Sequence, residues 1–398
     1  MDPSFQLINP NAAFEATLLN FRNFILPKAA LLAASANVYN LAQKDMWALP
    51  FWQAPTVGEG PYIWSKTETG QFLSFNPNPN WRGGALAFTQ VIMKPIASQS
   101  VAAAQLQAGD IDLAVVTLND LPGLTSAGFQ TGTALAPFPI QSDFNTSKAS
   151  RMSDPNVRQA FMEGCDRQGF VDSFLQGKGA ATATYFFPDW VDKTGLNQYP
   201  YDIQKAKAAL DAAKFDYSKP VVWLSWNKDA ADRQAFLEDC QSKMKTIGVN
   251  IEIVNGLDVT DKLTKAGQWD LALYGGYPIA DPDQIIQFTS CKNIGTLPGT
   301  NNADFPDASA YMSGGSNAAN WCNPDFDKLM LSAELTADQA QRAAIYKQAQ
   351  DIWIQNVPIM IDYRNATAYG WSSKLSGIAL YGDPSGLTLG IDQWSKTP

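Results

Sequence analysis

From Val57 to Ala114 the chain alternates extended and helical signals so tightly that few layered folds accommodate it. Val57-Gly58-Glu59-Gly60-Pro61-Tyr62 reads as a tight turn, because glycines reach backbone angles closed to other residues and Pro61 fixes its own φ. Ile63–Lys66 and Gln71–Phe75 read as two short strands around a Glu68-Thr69-Gly70 turn. Asn76–Gly84 is a polar loop rich in Pro and Gly that carries Trp81, and Val91–Pro95 is a further strand. Ser98–Ala108 has helical spacing and stops at Gly109, and Ile111–Val116 follows as a buried strand.

The same alternation continues. Asp154 with Pro155, Asp202, Asp229 and Asn323 with Pro324 stand where helix N-caps belong. They open helices that include Val157–Phe161, Ile203–Ala213 and Ala230–Ile247. Thr336 and Gln339 have capping-box spacing for a helix over Ala337–Asn356, with Ile345, Ala349 and Ile352 on its buried face. Val221–Ser225, Val249–Val254, Trp269–Tyr274 and Ile359–Tyr363 read as strands, and Ala12–Asn23 as an amphipathic segment. Strands interleaved with helices give an α/β class of mixed sheets flanked by helices.

The 398 residues suffice for two or three domains with cores of their own. A net charge of −9 argues against a nucleic-acid partner, since phosphate binding needs clustered Lys and Arg. No apolar run is long enough to span a bilayer, and Met1-Asp2-Pro3 does not open a signal segment. Histidine is absent, which excludes Ser-His-Asp and Cys-His nucleophiles and any imidazole-held metal within the chain. No metal, cofactor or catalytic residue is expected. Of the four cysteines, Cys291 and Cys322 bracket a Gly/Asn/Ser-rich loop that a disulfide would staple. Cys165 and Cys240 lie at helical spacing among apolar residues and read as inert core thiols.

Several of these stretches have a family likeness. The Gly58–Tyr62 turn is similar to a GTGPY turn, Asn76–Trp81 to an Asn-rich RNPxYW loop, and Leu106–Asp112 to an L-x-x-G-x-I-D run. Val157–Ala160 matches VRQA, Cys165-Asp166-Arg167 an xDR helix end, and Tyr201–Leu210 the pattern Y-D-x-x-K-A-K-x-L-L. In this order they resemble the peptide/nickel class of ABC-importer solute-binding proteins, extracellular solute-binding family 5. The resemblance implies a two-lobed, type II periplasmic-binding-protein-like fold. Residues 1–53 would be a remnant of the small subdomain, 54–142 with 366–398 an incomplete first lobe, and 143–365 the second. Gln141–Asn145 and Arg364–Thr367 would be the hinges. Family members carry more than a hundred further residues before the turn, so this chain corresponds to their C-terminal two-thirds.

The resemblance also implies a function: capture of an oligopeptide or similar small organic solute in an interlobe cleft, and delivery to a membrane permease. The protein would be periplasmic or extracellular, touching the membrane only through the permease or a lipid anchor. Tyr274–Asp283 is similar to the family's W-x-A-D-Y-x-D-P segment, where main chain pairs with an extended ligand. Tyr274, Gly275, Gly276, Tyr277, Asp281 and Asp283 are therefore candidate ligand-binding residues, with Trp226 and Tyr363 as aromatic faces. Where peptide-binding members place the aspartate that meets a terminal amine, this chain has Pro278 or Ile279. Oligosaccharides therefore stay open as ligands. So do two other classes: a glycoside hydrolase with paired carboxylates and a remnant that no longer binds solute. Asp110 and Asp112 share one face of a strand, but in the family the same pattern only closes a helix–strand turn.

Overall fold

The computed structural model describes residues 7, 10–14, 28–37, 40–42, 44–45, 48–52, 55, 57–225, 230–256, 268–276, 280–294 and 317–397. Trp226, Tyr277, Pro278, Ile279 and the expected cap Asp229 lie outside the described residues, as does most of Ala12–Asn23. The chain divides into two compact units: one of residues 1–20 with 135–365, the other of residues 21–134 with 366–398. It passes between them at Asn20–Phe21, at Ala134–Leu135 and at Asn365–Ala366. Residues 1–53 are thus shared between the units, and the passage at Ala134–Leu135 lies upstream of the expected hinge at Gln141–Asn145.

The smaller unit opens with a short helix α1 (Lys28–Ala34), where Leu31 packs with Leu49. A three-stranded antiparallel sheet follows, in the order β1 (Tyr62–Glu68), β2 (Phe72–Pro77), β3 (Val91–Met93). Asn78 stitches the preceding turn, its amide donating to the carbonyls of Gly58 and Gly60 at 2.9 and 2.8 Å. Helix α2 (Gln99–Ala108) starts on the Ser98 hydroxyl and ends on Gly109, whose φ of 80° needs glycine. Its buried Ala102, Ala103 and Leu106 cover β4 (Leu113–Val116), together with Leu124 of α3 (Leu121–Ser126). β4 is an edge of a second sheet in the order β4, β11 (Ala366–Trp371), β5 (Gln130–Leu135).

The larger unit is built on a five-stranded sheet. Its order is β10 (Ile359–Tyr363), β6 (Ile140–Phe144), β9 (Leu271–Gly275), β7 (Val221–Ser225), β8 (Ile251–Asn255). β6 is antiparallel to both neighbours, and β7 is parallel to β8 and β9. The carboxyl ends of β7, β8, β9 and β10 therefore share one edge with the amino end of β6. Gln141–Asn145, expected as a hinge, is instead buried sheet; its polar side chains bond to one another and to neighbouring strands.

Helices α4 (Pro155–Gly164), α5 (Arg167–Ser173), α6 (Ile203–Ala212), α7 (Ala231–Lys245), α8 (Ile286–Thr289), α9 (Pro324–Glu334) and α10 (Gln339–Asn356) complete the unit. Asp154, Asp202 and Asn323 cap α4, α6 and α9 through their side chains. The Thr336 box does not form. Asp338 caps α10, while the Thr336 hydroxyl donates back to the Ser332 carbonyl at 2.7 Å. The buried face of α10 is Arg342, Tyr346, Ala349, Gln350, Trp353 and Ile354, leaving Ile345 and Ile352 only half-buried. Cys165 and Cys240 are not free core thiols: they are bonded to each other, joining the end of α4 to α7. Cys291 and Cys322 form the second disulfide.

Candidate functional site

In open α/β sheets the carboxyl ends of parallel strands gather loops and helix N-termini, and ligands bind there. In the larger unit that edge brings together β9, the start of β6, the end of β10 and the first turn of α7. β9 runs out at Gly275, paired with Ile140, and the Gly276 N–H donates to the Pro139 carbonyl at 2.8 Å. Gly276 is glycine for a packing reason. A Cβ there would strike the Tyr185 hydroxyl, and would sit 2.7 Å from both Gln141 Oε1 and Pro139 Cδ. The Tyr185 hydroxyl itself donates to Gln141 Oε1, and Gln141 Nε2 to Asp143 Oδ1 at 2.8 Å. A Cβ on Gly275 would instead meet the guanidinium of Arg233, 3.1 Å from Nη2.

Tyr363 does not offer an aromatic face. It is fully buried between Phe170 and Phe236, with ring centroids 4.9 and 5.5 Å away. Its hydroxyl donates to Asp232 Oδ2 at 2.9 Å, and the Asn365 amide donates to the same oxygen at 3.1 Å. Burial, with Asp232 alongside, holds the Tyr363 hydroxyl well above its usual range. One strand position back, Asp362 is fully buried and accepts from Ser142 Oγ at 2.9 Å, which in turn accepts from Trp223 Nε1 at 3.0 Å. Desolvation pushes the Asp362 carboxyl well above the usual carboxylate range, against the opposing pull of Ser142, Arg167 and Arg233.

Asp281 is also unavailable to a ligand. It caps the turn Pro282–Ile285 and forms a bidentate pair with Arg342, whose Nη1 and Nη2 stand 2.9 and 2.8 Å from its oxygens. The Tyr346 hydroxyl donates to the same carboxylate at 3.2 Å. Asp283 is half-buried in this turn, and its Oδ1 has no hydrogen-bond partner among the described residues. Burial, with Glu334 and Asp281 nearby, raises its carboxyl to about 7 against the opposing pull of Arg342. Asp110 and Asp112 are exposed in the smaller unit, and Asp112 pairs with Lys396 at 2.8 Å.

Of the sequence candidates, the edge thus gathers the β9 main chain at Tyr274, Gly275 and Gly276. Asp281 and Asp283 belong to an adjoining structural turn. Sequence reasoning passed over Asp232, Arg233, Tyr185 and Asn365. A signal for the position of two of them was present: a helix that follows a parallel strand opens at the carboxyl edge, so its first turn lies there.

The comparisons agree with this architecture. Residues 4–296 match the family model described as bacterial extracellular solute-binding proteins, family 5 Middle. The probable D,D-dipeptide-binding periplasmic protein DdpA of Escherichia coli is 27% identical over 384 residues, covering 94% of this chain and 68% of that protein. Di/tripeptide-binding protein 1 of Pseudomonas aeruginosa is 27% identical over 321 residues, covering 76% of this chain and 55% of that protein. The oligopeptide-binding protein AppA of Bacillus subtilis, solved with a nonapeptide, superposes with a TM-score of 0.71 at 21% identity over 99% of this chain and 76% of its own. The fold is that of the two-lobed periplasmic binding proteins of type II, and the chain belongs to the bacterial extracellular solute-binding proteins of family 5.

Proposed function

We propose that this chain is the solute-binding component of an ABC importer, which captures a peptide or similar small organic solute outside the cytoplasm and delivers it to a membrane permease. The observation that carries the reading is the end of β9, where the glycine pair Gly275-Gly276 brings main chain to the carboxyl edge of the larger sheet. An extended peptide pairs with main chain as an added strand would. The relatives named for dipeptides, di- and tripeptides and a bound nonapeptide support peptides over other solutes. Two of the three passages between the units, Ala134–Leu135 and Asn365–Ala366, would serve as the paired connection that hinge closure uses. No chemical step belongs to this reading. Among the described residues no helix is long and apolar enough to cross a membrane.

Calorimetry with dialanine, trialanine, their N-acetylated forms and cellobiose tests the proposal. Saturable heat with peptides and none with the sugar is the expected result. Binding of cellobiose alone would replace peptides by oligosaccharides, and silence with every ligand would overturn the reading.

A further inference from the structure

The two disulfides of the larger unit differ in what a reagent can reach. Cys165 and Cys240 are 1% and 0% exposed, whereas Cys322 is exposed and Cys291 half-buried. A disulfide opens by attack of a thiolate on one of its sulfurs, so access decides which bond can react.

Cys291 and Cys322 are also held together by bonds other than their own. Asn317 is fully buried, and its Nδ2 donates to two carbonyls, that of Ser290 at 3.0 Å and that of Trp321 at 2.8 Å. These are the residues directly before Cys291 and Cys322. The Asn317 N–H donates to the Asn293 carbonyl at 3.1 Å. From α9, which starts two residues after Cys322, Asp327 Oδ2 accepts from the Cys291 N–H at 2.9 Å and from Ser290 Oγ at 3.1 Å. A bridge that only stapled a loose loop would need no such second set of ties. Two groups held in place by their surroundings react with each other at a high effective concentration.

We propose that Cys291–Cys322 is a reversible thiol-exchange site, opened at Cys322 by an external dithiol, while Cys165–Cys240 is a permanent bond. A thiolate of the dithiol attacks Cys322 Sγ. The bond to Cys291 breaks, Cys291 leaves as a thiolate, and a mixed disulfide stays on Cys322. The second thiol of the reagent then attacks the reagent's own sulfur in that mixed disulfide, and Cys322 leaves in turn. Two electrons pass from the dithiol to the bond, its two protons end on Cys291 and Cys322, and it departs as a disulfide. An oxidant of the disulfide class reverses these steps. No bound solute takes part.

The test starts from the folded, oxidised chain in millimolar dithiothreitol at neutral pH, quenched with N-ethylmaleimide at intervals and mapped by peptide mass spectrometry. Cys291 and Cys322 should be labelled together, about 100-fold or more faster than Cys165 and Cys240, which open only when their part of the core does. Glutathione, a monothiol, should leave its adduct on Cys322. Transfer to oxidised dithiothreitol should restore the one original pairing. Asn317→Ala removes the shared tie and should lower the dithiothreitol concentration for half-reduction about 10-fold, with Cys165–Cys240 still closed. Asp327→Ala, which frees Cys291 from α9, should act in the same direction, and near-ultraviolet circular dichroism of the oxidised variants reports whether each is folded. Equal labelling of the two bonds in wild type overturns the proposal, as does a glutathione adduct on Cys291 or scrambled pairing after reoxidation. Half-reduction at the wild-type concentration in both folded variants overturns it too, since the reduced thiols would then not be held by these ties.

Discussion

Gly276 has to be glycine because three neighbours occupy the space of a Cβ: the Tyr185 hydroxyl, Gln141 Oε1 and Pro139 Cδ. Gly276→Ala should therefore destabilise the protein by about 1–3 kcal/mol, the usual cost of overpacking. Urea unfolding monitored by tryptophan fluorescence measures it, and a neutral result would mean that Tyr185 swings aside freely. Asp281 and Arg342 are both almost wholly buried, so removing one charge strands the other. Asp281→Asn should cost about 3–5 kcal/mol in the same assay, through folding rather than through contact with a ligand. Asp283 gives a pH dependence. Its carboxyl titrates near 3.8 unfolded and about 7 folded, so between these values the folded state holds more protons. Its contribution is present in full below pH 4 and is lost as pH rises through 7. Allowing for solvent screening of its exposed part, Asp283→Asn should remove on the order of 2 kcal/mol from the stability difference between pH 5 and pH 8. A variant with the wild-type slope would place that pH dependence elsewhere, Asp362 being the first alternative.

At the scale of elements, caps were the most legible signal. Asp154, Asp202 and Asn323 each bond the backbone of their own first turn, an interaction set by residues two or three apart. The start of α10 was misread because Thr336 finds a nearer acceptor in the turn that ends α9, leaving the cap to Asp338. Its buried face was misread because Arg342 and Gln350 go inward to partners far off in sequence, Asp281 and the Asp192 carbonyl. The hinge expected over the interior strand β6 was misplaced for the same reason. Gln141 and Ser142 are buried with partners that only the tertiary fold supplies, Tyr185 and Asp362. Cys165 and Cys240, 75 residues apart, likewise become a pair only once α4 packs on α7. Closing loops of 75 and 31 residues is worth about 4.5 and about 3.7 kcal/mol on the chain-entropy estimate. Oxidised protein should resist alkylation at all four cysteines by intact mass, and reduction should lower the melting temperature. Any thiol alkylating without reductant in protein from an oxidising compartment counts against the corresponding bridge.

At the scale of the whole molecule, the sequence carried the alternation of strands and helices that defines the class, but not which strand edges stay open. Openness depends on sheet order. In the smaller unit β3 ends one sheet and β4 ends another, and neither has a second neighbour among the described strands. Between them lies a groove of about 530 Å³, lined by Val91, Met93, Ala102, Leu113, Leu375 and Trp394 among others. Ile92 and Met93 on β3 are 50% and 36% exposed. An apolar strand edge is a template for pairing with another chain. Two features blunt this one: β3 has only three residues, and the Lys94 ammonium reaches the Asp110 carbonyl at 3.1 Å. Weak, concentration-dependent self-association is therefore expected in sedimentation velocity, rather than a tight dimer. Replacing Ile92 and Met93 together by lysine should abolish it and leave the melting temperature within a degree or two, since neither side chain is buried in the core. A wild-type chain that sediments as a monomer at high concentration would show that the short strand and Lys94 already protect the edge.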